Sequence, residues 1–385
     1  MRILFIGNLG NTGYRFVKWL RNRQQDAVLV LPGNIRHERS LPEWEDPEIK
    51  DNYPEWIIQY RERKLPFLIP NKKLRSLSRK FDLILTTGKY IVPVMRLKKP
   101  IVFLPVGGDL TRIPFENDTL MQVIHASLYR KRIKRVNRII TDQEDCVWAA
   151  RLLGQGNKIS RFPFLIDIHE TSQNYNEQLL AKLKRDYHSH DWIFFNPTRK
   201  NMDSSAMDYK GSEKLLEAFE TFISHHPGKK VKMISGLHGR DTEKFKKKVF
   251  QLGIGDYIDF IDHLSLPDLH SYLALENVVV FDQFTNNLNA LGGIQREALS
   301  FGKLVISSTD IRTNEFIKTY GDSCPVIPAF NKKQILESMI EISDMDKNTY
   351  EEKSKEIRKW AEQHIHWENR IEEFSELLKS IYYTA

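Results

Sequence analysis

Phe281-Asp-Gln-Phe-Thr-Asn-Asn-Leu-Asn289-Ala-Leu-Gly292-Gly293-Ile-Gln-Arg-Glu297-Ala-Leu-Ser-Phe-Gly302-Lys303-Leu-Val-Ile-Ser-Ser308 reads as strand end, polar loop, Gly-Gly, short helix, glycine turn and strand. Its two apolar runs are continuous instead of alternating, as expected of strands buried on both faces of a parallel sheet. The same kind of run recurs along the chain. In the first half it predicts strands near Arg2–Ile6, Ala27–Leu31, Asp82–Thr86, Ile101–Leu104 and Arg138–Thr141. In the second half the runs are Trp192–Phe195, Lys230–Ser235, Tyr257–Ile261, Val278–Asp282 and Leu304–Ser308. Helical segments separate them, so the chain is expected to fold as two successive doubly wound α/β units.

The length of 385 residues suits two domains of similar size. With 41% hydrophobic and 28% charged residues, the composition is that of a folded globular chain and excludes a largely disordered one. The boundary falls where apolar runs stop and Glu170-Thr-Ser-Gln-Asn-Tyr-Asn-Glu177 leads into a charged helix. The expected layout is a first Rossmann-like domain over 1–168, a linker or helix over 169–190, a second Rossmann-like domain over 191–350, and closing helices over 351–385. Helical stripes are expected at Leu215, Leu216, Phe219, Phe222 and Ile223, and at Trp367, Ile371, Phe374, Leu378 and Ile381; both are packing faces. The stretch 31–70 has no clear period and reads as an elaborate loop or a helical insertion. Cys146 and Cys324 fit no metal or disulfide pattern and read as inert buried thiols.

The chemistry gathers around Gly292-Gly293. A glycine pair at a helix start lets backbone approach a ligand and leaves unpaired N–H groups at the positive end of the helix dipole, which suits a diphosphate. Glu297, about one turn on, can accept hydrogen bonds from a ribose diol. On these grounds alone the stretch is equally a common turn followed by a common helix residue.

The same stretch resembles the donor-site signature of the family 4 glycosyltransferases, retaining enzymes of the GT-B fold. That pattern has a Glu, seven residues, then Glu-Ala, two residues, Gly and Lys. Glu297-Ala298-Leu-Ser-Phe-Gly302-Lys303 matches the second half, and Gly292 falls on the loop glycine; Asn289 stands where the first Glu would be. The resemblance implies two Rossmann-like domains facing a central cleft, with a C-terminal helix crossing back to the first. It extends to Asn196-Pro-Thr-Arg199 and Lys210-Gly211, similar to the Arg and Lys-Gly pair that holds the donor diphosphate, although the gap here is longer. Gly236 in Ser235-Gly236-Leu237-His238-Gly239 and His263 in Ile261-Asp262-His263 fall where the family surrounds the nucleotide. Gly10 and Asn11 lie in a glycine loop after the first strand, Gly7-Asn8-Leu9-Gly10-Asn11-Thr12-Gly13. Val106-Gly107-Gly108-Asp109 resembles the His-Gly-x-Asp segment, with Val106 in place of the His.

The implied reaction moves a sugar from a nucleoside diphosphate donor, UDP- or GDP-linked, to a saccharide or lipid-linked acceptor hydroxyl with retention, in polysaccharide, glycolipid or glycoconjugate biosynthesis. Arg199, Lys210 and Asp109 are the catalytic candidates. Glu297, Asn289, Gly292, Gly293, Gly236 and His263 are the donor contacts, and Gly10 and Asn11 line the cleft loop. No metal and no cofactor beyond the nucleotide sugar is implied. A GT-B epimerase or phosphorylase, or a catalytically silent binding subunit, would share the fold, the last because Asn289 and Val106 both depart from expected sugar contacts.

A net charge of +8 adds a possible partner. Arg130-Lys131-Arg132-Lys134-Arg135-Arg138, with Leu128, Tyr129, Ile133 and Val136 among the charges, reads either as a solvated helix face or as a face for an anionic membrane. No recognition motif points to nucleic acid. With no apolar stretch long enough to span a bilayer and a start that runs directly into a strand, the expected location is cytoplasmic, possibly peripheral on the inner face of the membrane.

Overall fold

Ile3–Ile6 (β1), Leu83–Thr86 (β4) and Val278–Phe281 (β11) are buried at every residue, which is why their sequences show no alternation. The computed structural model describes residues 1–32, 40–60, 72–94, 96–204, 209–285 and 288–384. The chain divides into two units, Met1–Phe164 with Arg370–Ala385, and Leu165–Asn369.

The first unit is built on a seven-stranded parallel sheet. To β1 and β4 it adds Ala27–Pro32 (β2), Ile57–Tyr60 (β3), Ile101–Phe103 (β5), Arg138–Ile140 (β6) and Ile159–Ser160 (β7), in the order β3-β2-β1-β4-β5-β6-β7. The second has six parallel strands: Trp192–Asn196 (β8), Val231–Gly236 (β9), Ile258–Ile261 (β10), β11, Val305–Ser307 (β12) and Ile327–Pro328 (β13), in the order β10-β9-β8-β11-β12-β13. All ten expected strands are present. Three more are not in the sequence reading: β3, β7 and β13. Each lies at a sheet edge and is short or half-exposed, so none carries a continuous apolar run. β3 also corrects the reading of 31–70, whose described part holds the 3-10 turns Pro42–Trp44 and Pro47–Ile49 and then this strand, with no long helix.

The stretch 169–190 carries the helices Ile168–Gln173 and Glu177–Asp186, and Leu183 lies in the core of the second unit. That core is aromatic: Phe194 packs against Phe219, Phe222 and Phe281 with ring centroids 6.1, 5.8 and 5.0 Å away. Ile357 and Trp360, on the helix Lys347–His364, join it. The final helix, Trp367–Thr384, brings Phe374 against Phe16 at 4.5 Å and Phe162 at 5.1 Å, within the first unit. The closing helix therefore returns to the first unit.

Cys146 and Cys324 are buried, one in each unit. Burial raises both thiols, Cys324 to about 12, so neither is a ready nucleophile. Among the described residues no helix is long and apolar enough to cross a membrane.

Candidate active site

In the second sheet the chain winds outward from β8 in one direction and from β11 in the other, so the strand order reverses between these two neighbours. Ligands of open parallel sheets bind beyond the carboxyl ends of the strands at such a reversal. Polar side chains meet there. Thr198, just past β8, donates to Asp282 Oδ1 just past β11 (2.8 Å), and Asp282 Oδ2 accepts from Gln295 Nε2 (2.9 Å). Lys210 Nζ donates to Gln283 Oε1 (2.5 Å), and its backbone N–H goes to Asn201 O (3.0 Å), two residues from Arg199. Arg199 is exposed, with no acidic partner among the described residues. Gly211 then turns the chain into the helix Ser212–His225 at φ +67°; a Cβ there would lie 2.4 Å from Phe284 O, so only glycine fits.

Lys200, next to Arg199, has no exposed surface. Its Nζ donates to the backbone and side-chain oxygens of Asn196 and to Thr198 O (2.8 Å), and lies 4.6 Å from the centre of the Phe245 ring. Burial lowers its pKa to about 7, against the smaller upward pull of Asp282. No motif marks it; its only trace in the sequence is its place two residues beyond Thr198, just past β8.

Gly292 opens the helix Gly293–Ser300 in extended conformation without a side-chain cap. The amides of its first turn have no intrahelical partner. Gly293 is exposed and a Cβ there would meet nothing within 4 Å, so the helix start is open on that side. At Gly292 a Cβ would come within 3.0 Å of Asp282 Oδ2 and 3.2 Å of Gln283 Nε2, which seats this helix start against the Asp282 cluster. Glu297 is buried, and its Oε2 pairs at 2.8 Å with Nε2 of His270, itself 1% exposed. Nδ1 of His270 lies 2.8 Å from Asn174 O. A carbonyl only accepts, so Nδ1 is the donor in that contact, and the ring is held with Nε2 toward the Glu297 carboxylate. His270, on the helix Leu266–Leu273, thus fixes the direction of Glu297; no motif marked it.

Gly236 ends β9 with Pro197 O 3.3 Å from where its Cβ would be, adjoining the β8 exit. His263 is exposed and stacks edge-on against His238, ring centres 5.1 Å apart. Asn289 Oδ1 is buried with no hydrogen-bond partner among the described residues, an acceptor that costs free energy unless a donor reaches it. Gly302 and Lys303 are architectural. Gly302, at φ +68°, packs on Ser354 of the helix Lys347–His364, and buried Lys303 donates to Leu275 O (2.5 Å).

In the first unit the order reverses between β1 and β4. Asn8, after β1, accepts the Tyr14 N–H (2.7 Å) and donates to Asn11 Oδ1 (2.6 Å), while Asn11 Nδ2 donates to Leu41 O (2.9 Å). Asn11 is thus buried in its own loop, whereas Gly10 is exposed. Asp109 is buried, and its two oxygens accept the Gly88 N–H (2.9 Å) and the Val106 N–H (2.8 Å), tying together the loops after β4 and β5. Burial raises its carboxyl to about 7 despite these bonds. The geometry fits an organiser of the two loops. Asp109→Ala is expected to leave the buried Gly88 amide and the partly buried Val106 amide unpaired and to cost about 2–4 kcal/mol in denaturant unfolding. Unchanged stability with lost turnover would instead make Asp109 a participant in the chemistry.

Residues 204–364 match the model of the family described as glycosyl transferases group 1. That match lies within the second unit. Solved structures extend the likeness to the whole chain. Anabaena HepE in complex with UDP and glucose superposes with a TM-score of 0.67 at 13% identity, covering 99% of this chain and 100% of that one. A glycosyltransferase from Rickettsia africae gives 0.68 at 14%, covering 99% and 98%. Sucrose-phosphate synthase from Thermosynechococcus elongatus gives 0.65 at 11%, covering 100% of each. No curated protein matches. At these identities the likeness is one of fold, and the fold is GT-B. Within the second unit, the match takes in Lys210, Gly236, His263, Asn289, Gly292, Gly293 and Glu297, whereas Arg199 precedes it.

Proposed function

We propose that this protein transfers a sugar from a nucleoside diphosphate sugar to the hydroxyl of a saccharide or lipid-linked acceptor, with retention of configuration. The observation that carries the reading is the uncapped helix start at Gly292-Gly293, placed where the strand order reverses and beside the Asp282–Gln283–Lys210 cluster. Unpaired amides at a helix dipole's positive end, with lysine and arginine nearby, match a diphosphate in charge and in hydrogen-bonding sense. Glu297, directed by His270, would accept from the ribose diol, and a sugar hydroxyl would satisfy Asn289 Oδ1.

In this reading Arg199 and Lys210 stabilise the charge that develops on the leaving diphosphate, the work a metal ion does elsewhere. The leaving phosphate oxygen takes the acceptor proton as the new glycosidic bond forms and the old one breaks. No protein carboxylate is then needed as base, which agrees with the full engagement of Asp109. UDP heads the donor classes because HepE, of the same fold, was solved with it; GDP follows.

Thermal unfolding in the presence of UDP, GDP, ADP and CMP tests the reading. A ligand that binds only the native state at roughly 100 times its Kd adds about 2.7 kcal/mol of stability. One of the diphosphates is expected to raise the midpoint, and Glu297→Ala to diminish the rise. If none of them shifts it, the proposed site holds no nucleotide and the reading fails.

A further inference from the structure

The helix Leu120–Ile133 buries Ala126, Tyr129 and Ile133 in the core of the first unit. Its opposite face is not polar, as a water-facing helix requires. Leu120 is 76% exposed, Met121 72% and Ile124 46%, and Phe115, on the turn that precedes the helix, is 38% exposed. Positions 120, 124 and 128 share one stripe. The stripe continues into Lys131, after which the exposed Lys134 and Arg135 follow.

The cationic end is as unusual as the apolar one. Among the described residues no carboxylate comes within ion-pair distance of Arg96, Lys131, Arg132, Lys134 or Arg135. Arg132 is lowered by burial and then by the charges of Arg96 and Arg135, so like charges crowd one another. An aqueous surface that collects large apolar side chains at one end of a helix and unneutralised cations at the other has two needs at once.

A second copy of this chain would cover the apolar turn but bring no counter-charge to the cations. Nucleic acid would neutralise the cations and leave Leu120 and Met121 in water. The bilayer interface meets both needs, because apolar side chains enter below the headgroups while lysine and arginine remain at the phosphates.

We propose that the outward face of this helix, Leu120, Met121 and Ile124 together with Lys131, Lys134 and Arg135, docks the first unit onto an anionic phospholipid surface. The inference is independent of the transfer reaction and stands or falls without it.

Co-sedimentation with vesicles tests it, using phosphatidylcholine alone and phosphatidylcholine mixed with phosphatidylglycerol. The wild-type chain is expected to bind the mixed vesicles strongly and the neutral ones weakly. Raising the salt should weaken binding to the mixed vesicles without abolishing it, since salt screens the charges but not the inserted side chains. In Lys131→Ala/Lys134→Ala each lost cation should lower the partition coefficient about fivefold. Leu120→Ser/Met121→Ser should lower it on the order of tenfold and remove the salt-resistant fraction. All four positions are exposed, so unaltered thermal unfolding certifies the fold of each variant. Three results overturn the proposal: no retention of the wild type on the mixed vesicles, a serine variant that binds like wild type at every salt concentration, or a dimer in solution that the serine variant converts to monomer without any vesicle binding.

Discussion

Arg199→Ala is expected to lower turnover by roughly 100- to 1000-fold, the loss typical of removing one group that meets transition-state charge. Arg199 is exposed and lies just past β8, where the strand order of the second sheet reverses. Its removal opens no cavity and strands no buried acceptor, so the variant should unfold at the wild-type temperature. The measurement is single-turnover transfer, or donor hydrolysis if no acceptor is yet known, with the nucleotide sugar selected by thermal shift. A charge needed in the transition state lowers kcat and kcat/KM together; one that merely attracts the donor raises KM with kcat unchanged. Lys210→Ala should act in the same direction and should also release Gln283 from its hydrogen bond. Wild-type rates in both variants would remove the electrostatic role assigned to this corner. Absence of turnover in the wild-type protein itself, with nucleotide still bound, would favour the silent binding subunit instead.

What the sequence made legible follows from what leaves a mark on it. Central strands buried on both faces must be apolar throughout, so β1, β4, β8 and β11 could be read directly. β3, in which only Ile57 is buried, and the two-residue β7 and β13 have no such demand. The helix start at Gly292 was visible because glycine pairs are chosen for backbone reasons that survive in any context. Partners brought together by the fold were not visible. Glu297 was readable as a carboxylate on the first turns of a helix, but His270 lies 27 positions away and meets it only through packing. Asp109 had the residue type of a catalytic acid, and only the Gly88 and Val106 amides show where its oxygens are engaged. Lys200 was the least legible, since a lysine beside an arginine reads as surface charge until its burial is known.

That burial gives Lys200 the largest expected effect on stability. Lys200→Ala is expected to destabilise the second unit by about 3–5 kcal/mol, because it removes a buried cation from acceptors placed for it and leaves the space of its four-carbon stem. Asn196 O, Asn196 Oδ1 and Thr198 O would each lose a donor. Lys200→Met keeps the volume and should cost about 1–3 kcal/mol, the price of the unpaired acceptors alone. The pH dependence separates charge from shape. Burial pulls Lys200 down to about 7 in the folded chain, against its ordinary value of about 10.5 when unfolded. Between these values the unfolded chain holds a proton that the native chain has released, so this group's contribution to stability rises with pH from about 7 to 10.5 and is least favourable below 7. The methionine variant lacks that dependence. Its stability relative to wild type should therefore fall as the pH is raised through this window, measured by denaturant unfolding at matched ionic strength. A difference that stays constant with pH would mean that Lys200 keeps its proton throughout, held by its three oxygen acceptors more strongly than burial opposes it. In either protonation state its bonds hold Asn196 and Thr198 at the end of β8, and Thr198 carries the bond to Asp282. Losing Lys200 should therefore also displace Arg199, and with it the charge on which the proposed transfer depends.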